Sequence, residues 1–370
     1  KLKAAGPDAS FVSTANILNE YAILLKRLSA EVVKTKNVDS SVTLYSDYEA
    51  MKSGSADLES ADLFILVGTA PDQWARVLPA LDAIVRKKMN NDDAKLIVIH
   101  SGEPRIASKA TVALKGDEAK MLAEFAQAAI SKGVKAPKEM VEALASVNPS
   151  DEAMAAADVL AASRSAVILS SPALYRAASN ITLIKAEAAS VPLEANARGV
   201  VLMGLTSEGK KFREMVSSPS KALYAVGEVP ASSRPDTDFL VVQATHMTEL
   251  ALQADVVLPA AAALESEGTI VDYLGRLKEV RKAVDPAGQA KTNSDIFIAV
   301  AGAMGASLKA PKESEIKKAL KGKVKAAFSP FKKDKDLDVE AEKFMEDTNR
   351  SIVNGSRLLW LEEAEKAVPA

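Results

Sequence analysis

Residues 254–276 read ADVVLPAAAALESEGTIVDYLGR, and the architecture of the chain can be worked out from them. Val256, Val257 and Leu258 form a short apolar run. Pro259 stops it, because proline has no amide hydrogen with which to continue a ladder. Small residues follow, and Gly268 and Gly275 mark two turns. A buried strand closed by proline is expected at the carboxyl edge of a parallel sheet, where α/β proteins hold ligands.

The same grammar recurs upstream. Residues 61–67 (ADLFILV) read as a buried strand, Gly68-Thr69-Ala70-Pro71 as a tight turn, 73–88 as a helix and 95–99 (KLIVI) as a second buried strand. Strand, glycine turn, helix and strand in so short a span make a right-handed parallel unit. Before it come a short strand at Phe11 and Val12, a helix over 17–33 that Thr14 or Asn16 would cap, and an extended piece at 41–45. After it come a small strand at 111–114 and a helix at 118–132, then a connection over 133–151 carrying Pro137 and Pro149, which reads as a lobe boundary.

Beyond that boundary, a helix at 152–162 leads to a strand at 166–170, and Ser171-Pro172 starts a helix running to about residue 189. Strands are expected at 199–203, 221–226 (KALYAV) and 238–243 (DFLVVQ), then a short helix at 248–253 before the strand of the opening segment. These strands lack polar alternation, so they belong inside parallel sheets covered on both faces. From about residue 306 the sequence turns lysine-rich with alternating charge, as a solvated helix and loop would. The expected architecture is α/β, with Rossmann-like parallel-sheet lobes at 1–150 and 151–305 and a charged, mostly helical extension at 306–370.

Composition excludes several functions. The 370 residues are too many for one ordinary domain, and the 48% hydrophobic content suffices for a sizeable core. Forty-seven Lys and Arg against 49 Asp and Glu give a net charge of -2, with no electrostatic footprint for nucleic acid or an anionic membrane. There is no cysteine, so these residues build no disulfide, thiolate zinc site or cysteine-ligated cluster. His100 and His246 are the only histidines and lie far apart, so no metal site is expected. No apolar run reaches the roughly 18 to 20 residues needed to span a bilayer, and no signal peptide is visible, which makes the cytoplasm the expected location. The chain begins at Lys1, as a processed protein or a piece of a longer one would.

Specific motifs narrow the field further. The turns Gly68-Thr69-Ala70-Pro71 and Gly227-Glu228-Val229-Pro230 each follow a buried strand. A glycine there lets backbone amides face a phosphate, although any parallel strand also needs such a turn to leave the sheet. Neither a G-x-G-x-x-G fingerprint with its acidic partner nor a phosphate-binding G-x-x-x-x-G-K-[ST] loop occurs. Ser171 and His246 lack the G-x-S-x-G elbow of a hydrolase, and the acid pair Glu265 and Glu267 reads as exposed loop carboxylates.

Together, KALYAVGEVP at 221–230, the run 238–276, GQAKTNSDIFIAVAGAMG at 288–305, the run 61–100 and MAAADVLAASRSAVILSSPAL at 154–174 resemble the molybdopterin oxidoreductase superfamily, over about 55–305. Within it the chain is most similar to the C-terminal region of the large iron-sulfur subunit of complex I, NADH:quinone oxidoreductase, and its relatives in soluble hydrogenases and formate dehydrogenases. Catalytic members carry an N-terminal cluster domain, a cysteine, selenocysteine or serine on the metal, and usually a C-terminal β-barrel; none is evident here. The resemblance also implies asparagines and an aspartate that hold the nucleotide ends of the pterin. Ala70, Val229 and His100 or Ser101 stand in those places, the loop after the third segment is reduced to 189–192 and 196–199, and Asp272 and Leu274 replace an asparagine and a glutamate. Alanine and valine offer a base or ribose neither donor nor acceptor.

The resemblance therefore implies a cofactor-free, non-catalytic scaffold in the peripheral arm of a complex I-type NADH dehydrogenase. It would have no catalytic, cofactor-binding or metal residues of its own. Iron-sulfur clusters would lie in an upstream region or a partner, and cluster- and flavin-bearing subunits would pack against it on the cytoplasmic or matrix-equivalent side of the membrane. The alternative is part of a molybdenum or tungsten oxidoreductase of the formate dehydrogenase kind, with its metal ligand outside this chain. Molybdopterin guanine dinucleotide would then lie in a cleft lined by Gly68, Thr69, Gly227, Glu228, Thr245, His246 and Glu249. A free-standing nucleotide-binding protein using the same cleft is a third possibility.

Overall fold

The computed structural model describes residues 1–69, 79–229, 231, 233–321, 327–337 and 341–367. Ala70, Pro71 and Pro230 of the two turns, and the start of the helix expected at 73–88, lie outside the described residues. In chain order the described strands are β1 (Ala9–Ser13), β2 (Val38–Ser40), β3 (Leu63–Val67), β4 (Lys95–His100), β5 (Val112–Lys115), β6 (Ala166–Ser170), β7 (Ala186–Ser190), β8 (Ala222–Val226), β9 (Leu240–Ala244), β10 (Val256–Pro259), β11 (Gly268–Val271) and β12 (Leu277–Val280).

Ten of these strands build two five-stranded parallel sheets, ordered β10-β9-β8-β1-β2 and β5-β4-β3-β6-β7, while β11 and β12 form an antiparallel hairpin. Every residue of β1, β3, β6, β8 and β9 is buried, including Ser10, Ser13, Ser170 and Gln243, as strands covered on both faces must be. Sheet membership interleaves along the chain. The first sheet takes β1 and β2 from the beginning and β8 to β10 from much later, and the second is inserted between them. In place of a boundary near residue 150, the connection at 133–151 joins the helices Glu118–Ser131 and Asp151–Ala162, which pack on each other and on the second sheet.

One continuous core runs between the sheets, with Phe11 and Tyr224 on one side and Phe64, Leu66 and Leu169 on the other. Phe11 lies 5.5 Å from Tyr224 between ring centroids. Leu63 and Ile65 face the other way, onto Leu122, Phe125 and Leu160. Leu223, Leu240 and Val242 cover Phe212, Met215 and Leu250. Each sheet is thus packed on both faces.

Four local expectations need correction. Residues 199–203 are not a strand: Ala197–Leu202 is a helix, closed by Gly204 at φ 80, with the Leu205 amide donating to Val200 O at 2.9 Å. Val200 and Val201 suggested a strand, but both are buried on the helix, and packing outweighs β-branched propensity. The helix after Ser171 ends by Leu183 in short turns, and β7 follows as an edge strand of alanine, glutamate and serine. The piece at 41–45 is a tight helical turn, Ser41–Leu44, after β2. Strand β10, expected to be buried, is an edge strand with Val256 37% exposed. Edge position is where a terminal proline is tolerated.

The extension beyond residue 306 contains the helices Glu313–Ala319 and Ala341–Ala367, and it is docked on the sheets. Phe328 and Phe331 pack on the core outside the second sheet, and Ser329 and Asn180 exchange hydrogen bonds of 2.8 and 2.9 Å. Phe344 meets Tyr45 edge-on, and Gly355 lies against the Met247 and Thr248 backbone. The charged sequence therefore hides a few apolar and small residues that anchor it.

Candidate cofactor cleft

Parallel strands bring the loops of greatest chemical interest to their carboxyl ends. Here the two sheets are joined at those ends by the chain that leaves β7. Val191 N donates to Ser170 O at 2.9 Å on the second sheet, while Ala195 N reaches Asn16 Oδ1 at 3.0 Å and Asn196 N reaches Ala15 O at 3.1 Å on the first.

The two turn glycines sit where the sequence placed them, but they face the protein. Gly68 has φ 56, its amide donates to Ile99 O at 2.9 Å, and a Cβ there would lie 2.3 Å from Leu174 Cδ1. Gly227 has φ 82, donates to Gln243 O at 2.8 Å, and a Cβ would lie 2.2 Å from Thr14 Oγ1. Both amides are spent on neighbouring strands, and both open faces are filled by side chains of this chain. Thr69 beside Gly68 is buried.

The amides that follow three of the strands are taken by carboxylates. After β1, Ala15 N donates to Glu194 Oε1 at 2.8 Å. After β4, Ser101 N donates to Glu118 Oε1 at 2.8 Å. After β9, Thr245 N donates to Glu228 Oε1 at 3.1 Å. Glu194 is buried and has further partners: its Oε2 also accepts from Ser41 Oγ at 2.5 Å and Tyr45 Oη at 3.0 Å. Burial pushes its carboxyl above the usual range, against the pull of those hydrogen bonds. At Glu118 burial also acts upward, but the hydrogen bonds from Ser101 prevail and hold the group low.

Of the residues named from sequence, Glu228, Thr245 and His246 come together at the ends of β8 and β9. Thr245 Oγ1 donates to Glu228, and His246 Nδ1 lies 2.7 Å from Thr245 Oγ1 and 3.3 Å from Glu228 Oε1. Glu249 turns to the last helix, where Asn354 Nδ2 donates to it at 3.0 Å. Gly68 and Thr69 belong to the other sheet. His100 serves its own turn, accepting from Gly102 N at 2.8 Å. Sequence reasoning missed Glu194 and Glu118. For Glu194 there was a signal, a lone acid in the apolar run Val191-Pro192-Leu193.

A pterin dinucleotide presents phosphates, which bind free amides, helix starts and cations. At the ends of β1, β4 and β9 the amides of Ala15, Ser101 and Thr245 are already bonded to carboxyl groups, so these three offer a phosphate no free donor. Among the described residues no cluster of three or more His, Asp or Glu is placed to hold a metal ion.

Known proteins place the chain. The F420-dependent formate dehydrogenase subunit alpha of Methanocaldococcus jannaschii is 41% identical over 97 residues, covering 23% of this chain and 14% of that protein. An NADH-quinone oxidoreductase subunit of Rhizobium meliloti is 41% identical over 85 residues, 20% of this chain and 10% of that protein. The matches thus span a small part of these longer relatives. The structure of acetylene hydratase from Pelobacter acetylenicus shares the fold, with a TM-score of 0.55 at 15% identity over 81% of this chain and 56% of that one. The family model for molybdopterin oxidoreductase matches residues 2–303, most of the length, and the chain belongs to the molybdopterin oxidoreductase family.

Proposed function

We propose that this chain is a non-catalytic scaffold of that family, without a pterin cofactor, and part of a peripheral-arm subunit of a complex I-type NADH dehydrogenase. The observation that carries the reading is the set of three glutamates bonded to the strand-end amides. A phosphate arriving there would find those donors occupied by carboxyl groups. The absence of cysteine removes the sulfur ligand for molybdenum or tungsten from these residues, and the similarity to the Rhizobium meliloti NADH-quinone oxidoreductase chain supports the placement.

In this role the chain works through its surfaces. It buries an interface of the obligate kind, above about 2,000 Å², against cluster- and flavin-bearing subunits. No described helix is long and apolar enough to cross a membrane, so attachment to a membrane-bound assembly runs through other subunits, on the cytoplasmic or matrix-equivalent side.

The formate dehydrogenase similarity favours a second reading, in which the chain is part of a molybdenum or tungsten enzyme whose metal ligand lies elsewhere. In that case Gly68, Thr69, Gly227, Glu228, Thr245, His246 and Glu249 line the cofactor cleft. Metal analysis and pterin fluorescence of the intact purified complex separate the two. The scaffold reading expects neither signal from this chain, and stoichiometric molybdenum or tungsten assigned to it would overturn that reading.

A further inference from the structure

Four residues after Glu194, the helix Ala197–Leu202 carries Arg198 in its first turn. Its side chain lines a groove of about 620 Å³ that reaches the first half of β7 and includes none of Glu194, Glu118 or Glu228. The groove lies between the helix Tyr48–Lys52, the helix Tyr175–Ser179, the first half of β7 and the hairpin turn at Gly275. That volume is typical of small-molecule sites, which span roughly 300–1,000 Å³.

The guanidinium is held in place without being neutralised. Nη1 donates to Tyr273 O and Nη2 to Lys52 O, both at a long 3.4 Å, and the buried Nε has no partner. Gly275, at φ 85, backs it closely: a Cβ there would lie 2.9 Å from Cζ and Nη2. Burial pushes the group below its usual pKa, with Asp272 acting the other way.

The other cations around it are each paired with a carboxylate. Lys52 pairs with Glu49 at 3.1 Å, Arg176 with Asp47 at 2.7 Å, and Arg276 with Asp272 at 2.8 Å. Glu187 accepts from the Asp57 amide at 2.9 Å. Among the described residues, Arg198 is the cation of this groove left without a carboxylate within ion-pair distance. A desolvated, unpaired charge is costly, and a counter-ion offsets that cost.

We propose that this groove binds an organic oxyanion, a carboxylate or phosphate group, through the Arg198 fork. The planar guanidinium matches either group through paired N–H donors, and the Tyr175 hydroxyl and Lys52 at the rim add further donors. The site is independent of the strand-end cleft and of whether the chain holds a pterin.

The test uses the whole chain, with isothermal calorimetry and thermal melting in sodium phosphate, sodium acetate or sodium chloride at matched ionic strength. Saturable binding and a raised melting temperature are expected with phosphate, acetate or both, beyond the chloride control. Phosphate alone assigns a phosphoryl ligand, and acetate alone assigns a carboxylate. Arg198→Leu should weaken binding at least tenfold, and without an oxyanion it should be as stable as wild type or more so. Should Arg198→Leu fail to fold, Lys52→Gln at the rim tests the same groove, with two- to fivefold weaker binding expected. No response to either oxyanion in the wild type, or an unchanged response in these variants, would overturn the proposal.

Discussion

Glu194 ties together three parts of the structure, so its replacement is a sharp test of how the carboxyl ends of the sheets are held. In Glu194→Ala the hydroxyls of Ser41 and Tyr45 lose their acceptor, and the Ala15 amide keeps only Ser41 Oγ at 3.1 Å. An orphaned buried donor costs about 1–3 kcal/mol and the small cavity adds to it, so about 3–5 kcal/mol is expected. With an unfolding entropy of roughly 2.1 cal/mol/K per residue over 370 residues, that is a melting temperature lower by about 4–6 °C. Glu194→Gln keeps an acceptor for Ala15 and lets the hydroxyls turn to accept, so at neutral pH it should lie within about 1 kcal/mol of wild type or above it.

The pH dependence carries the sign. Burial raises the Glu194 carboxyl in the folded state, so the folded protein holds its proton where the unfolded chain, titrating near ~4.3, has lost it. Wild-type stability from this group is therefore greatest in acid, falls as pH rises from the unfolded value to the folded one, and is level above. Glu194→Gln lacks that component. Urea unfolding of wild type and Glu194→Gln between pH 4 and 8 measures the difference, which should move against wild type as pH rises. A difference that is flat or moves the other way, or a Gln variant as unstable as Ala at pH 7, would refute the account.

Two further substitutions test other joints. Gly355→Val places a Cβ 2.2 Å from Met247 O and 2.5 Å from the Thr248 carbonyl carbon, backbone atoms that cannot yield, so the helix Ala341–Ala367 should lift. At an overpacking cost of about 1–3 kcal/mol, hydrogen exchange in that helix should quicken about tenfold or more while the central strands keep their protection. At Asp62 burial pushes the carboxyl up, but hydrogen bonds from the Ser165 and Arg164 amides, at 2.9 and 3.0 Å, hold it below its usual value. Asp62→Asn should cost about 1–2 kcal/mol at neutral pH by chemical denaturation, and the gap to wild type should close as pH falls through the folded value, because a depressed carboxyl stabilises only while ionised.

Much of the fold was legible in the sequence because parallel strands buried on both faces need unbroken apolar runs. LFILV, AVILS and ALYAV read as such strands, and Gly68 after the first and Gly227 after the third fall where a positive φ is needed. Local composition misled where a residue's neighbours come from elsewhere. AEAAS has the composition of a helix but pairs with β6 as β7, and GVVLM has that of a strand but lies in a helix held from both sides. Strand order was hidden too, since Phe11 pairs with Tyr224 and nothing near either residue announces the other.

The candidate site divides in the same way. The sequence by itself determined the family pattern and the missing cysteine, because those are read from the order and identity of the residues alone. Only the tertiary structure brought Glu194 to Ala15, Glu118 to Ser101 and Glu228 to Thr245, and placed Arg198 in a groove where no carboxylate among the described residues lies within ion-pair distance of it. A carboxylate's role depends on which amide it reaches, and here the partners lie 179, 17 and 17 residues apart, distances that only folding closes.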